Sequence, residues 1–239
     1  MDSAYEPRFA RIAGLIADPA RSRMLAYLLG GHAASAGELA RAADVSASTA
    51  SGHLGRLLDA GLLLVESRGR HRYYRLADEH VARALESLAL VAERSVHERD
   101  WAAPARQALR QARRCYGHLA GRLGVALHDT LCRAGALQPA PDGYELTDAG
   151  RDWLAALGLP ALPPARGRFA CACLDWSERR DHLAGRLGQA LLTHCLEQDW
   201  LRTSSGAGAA SRALRLTPRG RQLLLPRLTA LSPEDARGF

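Results

Sequence analysis

SAGELARAADVSASTASGHLGRLLDAGLLLVESRGRHRYYRL, residues 35–76, is the stretch whose reading decides the fold. It holds two short helical patterns with a tight turn between them, then two extended runs around a charged tip. In the first pattern Leu39, Ala40 and Ala43 make a small apolar face. Asp44, Val45 and Ser46 read as the turn, with Ser46 as the N-cap of the next helix. That helix is expected over 47–59, carrying Ala50, Leu54, Leu57 and Leu58 inward at helical spacing. Its other face offers Ser48, Thr49, Ser51, Gly52, His53 and Arg56, small or polar groups with hydrogen-bonding capacity.

A helix that begins with small polar residues fits the DNA major groove and reaches base edges there. Gly61 closes it, Leu62 to Val65 open a strand, residues 66–72 (ESRGRHR) read as a turn, and Tyr73, Tyr74, Arg75 and Leu76 return. Arg68, Arg70 and Arg72 crowd the tip with His71 around Gly69. Like charges at an apex repel each other, so a purely structural hairpin gains nothing from them. Beside a polyanion each releases counterions and adds affinity.

The run from Val45 to Leu54, followed by Leu57 and by Ala60, Gly61, Leu62 and Leu63, resembles the recognition helix and wing entry of the ArsR/SmtB winged-helix repressors. The resemblance covers roughly residues 9–99. It implies a homodimer that binds a partly palindromic operator and releases it when an effector arrives. It also implies an interface role for the short helix at 9–16. The family's metal sites do not carry over. Ser35 and Gly37 stand where its Cys-x-Cys would be. Asp78 and His80 match the first half of a second site, but Val91 and Arg94 occupy the remaining ligand positions and cannot coordinate a cation.

At 239 residues the chain has room for two domains, and its 47% hydrophobic content supports a packed core in each. The formal net charge of +7 suits a polyanionic partner, and all 32 basic residues are Arg. No apolar run approaches the ~18 residues of a membrane span. Residues 1–10 have an acidic start and no apolar core, unlike a signal peptide. Five cysteines form no secreted disulfide framework, so a reducing cytoplasm is the expected compartment.

Asp18 and Pro19 open a helix that carries Met24, Leu25, Leu28 and Leu29 and stops at Gly30 and Gly31. Asp78 caps another helix over 79–99, whose Val81, Leu85, Leu88 and Val91 make it the natural dimerisation helix. From residue 101 a repeat appears: HLAGRLG at 118–124 recurs at 182–188, and Leu-Thr-x-x-Gly-Arg at 146–151 recurs at 216–221. Each copy, about 113–158 and 177–230, reads as helix, helix, hairpin, helix, with PALPP at 160–164 between them. The expected architecture is mainly α with short β-hairpins. Residues 1–100 form a winged helix-turn-helix DNA-binding and dimerisation domain, and 101–239 an effector or oligomerisation domain of two winged-helix-like repeats.

Two facing repeats commonly leave a cleft, and ligands favour such junctions. Cys115, Tyr116, His118, Cys171, Cys173, Asp175, Trp176 and His182 are the candidate effector residues. Cys-x-x-His is expected on one face of a helix, and Cys-x-Cys can grip a soft ion. Three effector readings stay open: a thiophilic metal or metalloid bound by Cys115, Cys171, Cys173 and a histidine; thiol redox chemistry; or an organic molecule, with no cofactor. No phosphate loop, nucleophile elbow or His-Glu-x-x-His is present, so no enzyme is expected. The sequence reads as a cytoplasmic, homodimeric DNA-binding regulator, a repressor released by its effector. Its DNA contacts are Ser46, Ser48, Thr49, Ser51, His53, Arg56, Arg68, Arg70 and Arg72, with one wing arginine reaching the minor groove.

Overall fold

The computed structural model describes residues 8–69, 71–93, 104–204, 212–229 and 239. Helix α1 (Arg8–Ile16) leads into α2 (Pro19–Leu28). Asp18 caps α2 by accepting from the Arg21 N–H at 2.9 Å, and Pro19 sits where a helix lacks a use for its first N–H. Strand β1 (Ala34–Ser35) precedes α3 (Ala36–Ala43). A capping box starts α3: the Glu38 N–H donates to Ser35 Oγ, and the Ser35 N–H donates back to Glu38 Oε2 at 2.7 Å. Asp44 turns the chain through φ 57, and α4 (Ala47–Asp59) begins at the Ser46 cap over the expected residues. Ala50, Leu54 and Leu57 are buried from it, against Met24, Leu25, Leu28 and Leu39.

The wing is longer than its sequence suggests. Strands β2 (Leu63–Arg68) and β3 (His71–Leu76) stay paired out to Arg68 opposite His71, so most of the expected 66–72 turn is strand. Cross-strand attraction accounts for this: Arg75 Nε donates to Glu66 Oε1 at 2.8 Å, and the Arg68 guanidinium lies 5.9 Å from the Tyr73 ring. Strand β1 joins the far side of β3, giving the order β1-β3-β2. Helix α5 (Glu79–Ala92) follows, capped by Asp78, whose carboxylate accepts from the Val81 N–H at 2.9 Å. Beyond Glu93 the expected continuation to 99 lies outside the described residues, as does Arg70 of the wing.

The second half begins with α6 (Pro104–Gln111) and then runs twice through one series. The first pass is β4 (Arg113–Cys115), β5 (His118–Ala120), α7 (Gly121–Arg133), β6 (Leu137–Ala140), β7 (Gly143–Leu146) and α8 (Asp148–Ala156). The second is β8 (Cys171–Leu174), β9 (Asp181–Ala184), α9 (Gly185–Glu197), β10 (Leu201–Thr203), β11 (Leu214–Leu216) and α10 (Pro218–Leu223). Each copy is therefore hairpin, helix, hairpin, helix, and the expected first helix of each is a hairpin. The repeated HLA tripeptide is a strand because it is buried on both sides, pairing outward with β4 or β8 and packing inward against the other copy. The second series starts at Cys171, ahead of the expected 177.

The copies are interlocked. Helix α7 packs on β9, α9 packs on β5, and β5 meets β9. Glycine at 124 and 188 lets each helix close on its own copy's strand, where a Cβ would lie 2.3 Å from the Leu119 carbonyl oxygen or 2.4 Å from that of Leu183. It also lets the other copy's histidine approach, with His182 Cβ at 3.5 Å from the one and His118 Cβ at 3.2 Å from the other. Leu119, Leu123, Leu127 and Leu131 of one copy share a core with Leu183, Leu187 and Leu191 of the other. Each fully buried leucine contributes about 1.5–3 kcal/mol.

The two halves touch through the β4–β5 turn and through α5. The Tyr116 N–H donates to the Leu29 carbonyl at 2.6 Å, and a Cβ on Gly31 would fall 1.2 Å from the Tyr116 oxygen, so only glycine fits there. Arg83 Nη2 donates to the Ala172 carbonyl at 3.1 Å, and Arg212 Nη1 to Glu86 Oε1 at 2.7 Å. No helix among the described residues is long and apolar enough to cross a membrane.

Candidate nucleic-acid interface and a buried thiol–imidazole cluster

Ser46, Ser48, Thr49, Ser51, Gly52 and Arg56 are exposed along one side of α4, opposite its buried leucines. The Ser46 hydroxyl accepts from the Thr49 N–H at 3.2 Å and lies 2.9 Å from both Ser48 Oγ and Thr49 Oγ1, which holds the first turn in place. His53 departs from this group. It is half-buried, with Nδ1 3.2 Å from Arg21 Nη1 and 3.8 Å from Asp18 Oδ1, so it ties α4 to α2 rather than facing outward. On the wing Arg68 and Arg72 are exposed but project from opposite faces, because Arg68 pairs with His71 and Arg72 with Ser67. Arg72 leans over the Tyr74 ring at 5.7 Å.

The candidate effector residues divide into three groups. Cys115 and His118 are a cross-strand pair on β4 and β5, not neighbours on a helix. Cys173 and His182 are the equivalent pair on β8 and β9. The four bring their ligand atoms within 4.8 Å of one another, and all four side chains are buried. His182 Nε2 lies 3.1 Å from His118 Nδ1. The junction is closed around these side chains among the described residues: His182 is 0% and His118 is 4% exposed. The expected cleft is filled because β5, β9, α7 and α9 pack directly on one another.

Asp175 and Trp176 form the surroundings. Asp175 is fully buried; its Oδ2 accepts from the Gly121 N–H at 2.6 Å and faces His182 Nδ1 at 3.2 Å, and its Oδ1 lies 3.1 Å from Arg113 Nη2. Burial disfavours the carboxylate, but His182, Arg113 and the Gly121 N–H outweigh it and keep Asp175 far below its usual range. Burial also opposes a charged His182, yet Asp175 and Cys115 hold its pKa above the usual histidine value. His118 is pushed well down by burial and by its histidine neighbour. Cys115 is pushed well up by its contact with Cys173 and by burial. Trp176 covers the Arg113 guanidinium at 4.4 Å.

Cys171 and Tyr116 are not among the four, although Cys171 packs in one small buried cluster with Cys115 and Cys173. Cys171 lies two rungs from Cys173 along β8, paired with Ala184, with Sγ 3.9 Å from Arg83 Nη2. Tyr116 occupies the turn between Cys115 and His118 and packs on the winged-helix core. Sequence reasoning missed Glu86, Arg113 and Arg212. Their one legible signal is a lone acid, Glu86, on the buried stripe of α5 beside Ala82 and Leu85. The fully buried Arg113 lies 3.8 Å from Glu86, closing a path of charged contacts from His182 through Asp175 to α5.

A helix-turn-helix domain family matches residues 16–66. The HTH-type transcriptional regulator YdfF of Bacillus subtilis (strain 168) is 40% identical over 217 residues, 90% of this chain and 94% of that protein. A match of that length necessarily runs through most of the repeated half. The HTH-type transcriptional regulator CmtR of Mycobacterium tuberculosis is 41% identical over 86 residues, 36% of this chain and 72% of its own length. The solved structure of the cadmium metal-sensor CmtR from that organism aligns with a TM-score of 0.31 at 40% identity, over 35% of this chain and 85% of that one. The homodimeric winged helix-turn-helix domain of a possible ArsR-family regulator from Mycobacterium bovis aligns with a TM-score of 0.36 at 27% identity, over 41% and 93%.

Proposed function

From the premise that this chain belongs to the HTH-type transcriptional regulators, as a DNA-binding regulator with an ArsR-like winged helix, we propose that it is a cytoplasmic homodimeric repressor whose second half controls release from the operator. One observation carries this reading: the repeated half docks on the end of α2 and on α5, while the outer face of α4 and the wing stay exposed. A body bound at those two places can shift the recognition helix without covering it.

In this reading Ser48, Thr49 and Ser51 meet base edges, and Ser46 holds their turn in register. Arg56, Arg68, Arg70 and Arg72 neutralise phosphates, with one wing arginine entering the minor groove. The dimer forms through α1 and α5, where Phe9 (72% exposed), Leu88 (49%) and Val91 (56%) present apolar surface. A two-fold dimer then places two recognition helices about one turn of duplex, ~34 Å, apart. No turnover belongs to this function. Footprinting the full-length protein on DNA upstream of its own gene, followed by in vitro transcription, tests it. Two protected half-sites and lowered transcript are expected. Coverage without sequence preference would indicate a coating protein, and raised transcript an activator.

A further inference from the structure

Cys115, His118, Cys173 and His182 have no role in the contact with DNA, and nothing about packing asks for two thiols and two imidazoles at one point in an otherwise leucine-rich core. From their geometry we infer that these four side chains form a closed, tetrahedral thiolate–imidazole site for one divalent d10 cation of the zinc and cadmium class, shared between the two repeats. This rests on the proposed function and gives its effector a chemical class.

Four observations support the assignment. The ligand atoms all lie within 4.8 Å of one another, and a tetrahedron with metal–sulfur bonds of about 2.3 Å and metal–nitrogen bonds of about 2.0–2.1 Å needs edges somewhat shorter than that. Each copy supplies one thiol and one imidazole from the same cross-strand position, Cys115 opposite His118 and Cys173 opposite His182, so the site completes itself only when the copies meet. His182 turns Nδ1 toward the Asp175 carboxylate at 3.2 Å and Nε2 toward the other ligands, the arrangement by which a carboxylate orients a metal-binding histidine. Two thiolates also cancel the charge of a divalent ion, which a buried site requires. On binding, the cation displaces one proton from each thiol, and the imidazoles bind as neutral bases.

The donor set favours a borderline-soft ion over a hard one, since no oxygen ligand is among the four. With four protein ligands and no exposed side chain, no position is left for water. The site therefore holds or senses an ion and does not activate a nucleophile. Cys171 and Cys132 are outside it: Cys171 faces Arg83, and Cys132 lies on α7 with Sγ 3.6 Å from His128.

Its position reaches the DNA-reading half by two routes. Cys115 and His118 flank the turn whose Tyr116 docks on Leu29 and Gly31, so clamping that hairpin bears directly on the end of α2. His182 leads through Asp175 and Arg113 to Glu86 on α5. An ion that draws the β4–β5 and β8–β9 hairpins together thus acts on α2, which packs on the recognition helix, and on α5, which packs on the wing strand β3.

The test uses the full-length, reduced protein, with Zn2+, Cd2+ and Co2+ each titrated alone. Expected are one equivalent bound per chain, thiolate charge-transfer absorption with Cd2+, and a tetrahedral spectrum with Co2+. Cys173→Ser and His182→Gln should each abolish tight binding, while Cys171→Ser and Cys132→Ser should leave it unchanged. If either ligand variant fails to fold, X-ray absorption of the metal-loaded wild-type protein decides, with two sulfur and two nitrogen neighbours expected. Absence of binding, a ligand set that includes Cys171, or a Cys115–Cys173 disulfide in the freshly isolated protein overturns the site. Operator affinity measured with and without the ion separates this inference from the reading it rests on. A shift of tenfold or more supports both. Binding with unchanged affinity removes the regulatory role and leaves the site standing. Release by some other small molecule, without ion binding, removes the site and leaves the repressor.

Discussion

Thr49 stands in the first turn of α4 and Arg72 on the wing, and the proposed interface asks different things of them. A hydroxyl that meets a base edge discriminates, so Thr49→Ala should cost roughly 1–3 kcal/mol on the cognate operator and little on unrelated duplex. Equal weakening on both, in an anisotropy titration, would make Thr49 a backbone contact. Arg72 carries charge without base specificity, so Arg72→Ala should weaken every duplex alike and reduce the slope of log K against log salt by about one. An unchanged slope would take that side of the wing off the DNA. Glu86 belongs to the interior. Glu86→Gln removes the carboxylate that Arg212 reaches at 2.7 Å and leaves a buried guanidinium uncompensated, for an expected loss of about 3–5 kcal/mol in denaturant unfolding. A loss below about 1 kcal/mol would mean that water reaches this pair.

Among the elements, α3 offers a clean test of local physics. Ser35→Ala breaks the capping box and should cost about 1 kcal/mol near neutral pH. The Ser35 N–H and hydroxyl hold the Glu38 pKa below its usual value. The stability from Glu38 is thus complete above the ordinary glutamate range and disappears as pH falls through the lowered value. The penalty of Ser35→Ala should therefore shrink in acid, and an equal penalty at pH 7 and pH 3 would contradict the reciprocal cap. Local rules of this kind are why the helix starts of the first half read well: Asp18-Pro19, Ser46 and Asp78 cap their helices where expected, and α4 has its expected bounds. They fail where tertiary contact decides. The HLA strands of the repeat look helical because Gly-Arg-Leu-Gly follows them, and only the other copy, pressing on β5 and β9, makes them hairpins. For the same reason Cys115 and Cys173 could be placed in one candidate site but not separated from Cys171 or matched to both His118 and His182, since register across two hairpins cannot be read from spacing along one chain.

For the whole molecule, the open apolar surface of α1 and α5 sets the expected assembly. Leu88→Glu together with Val91→Glu should leave the fold intact, since both side chains are exposed, and convert the dimer to a monomer in sedimentation. A dimer that survives both substitutions would place the interface elsewhere. The winged helix and the repeated half differ in what they require: one keeps a polar face open, and the other closes a core around a thiol–imidazole point and meets the end of α2 through Tyr116 and α5 through Arg212. The most direct measurement of the central claim is binding of the reduced full-length protein to its own upstream duplex and to a scrambled duplex of equal length, across a salt series. Tight binding that favours the upstream sequence, falls steeply with salt, and loses its preference in Thr49→Ala is the predicted result. Equal affinity for both duplexes, or no binding at modest ionic strength, would contradict it.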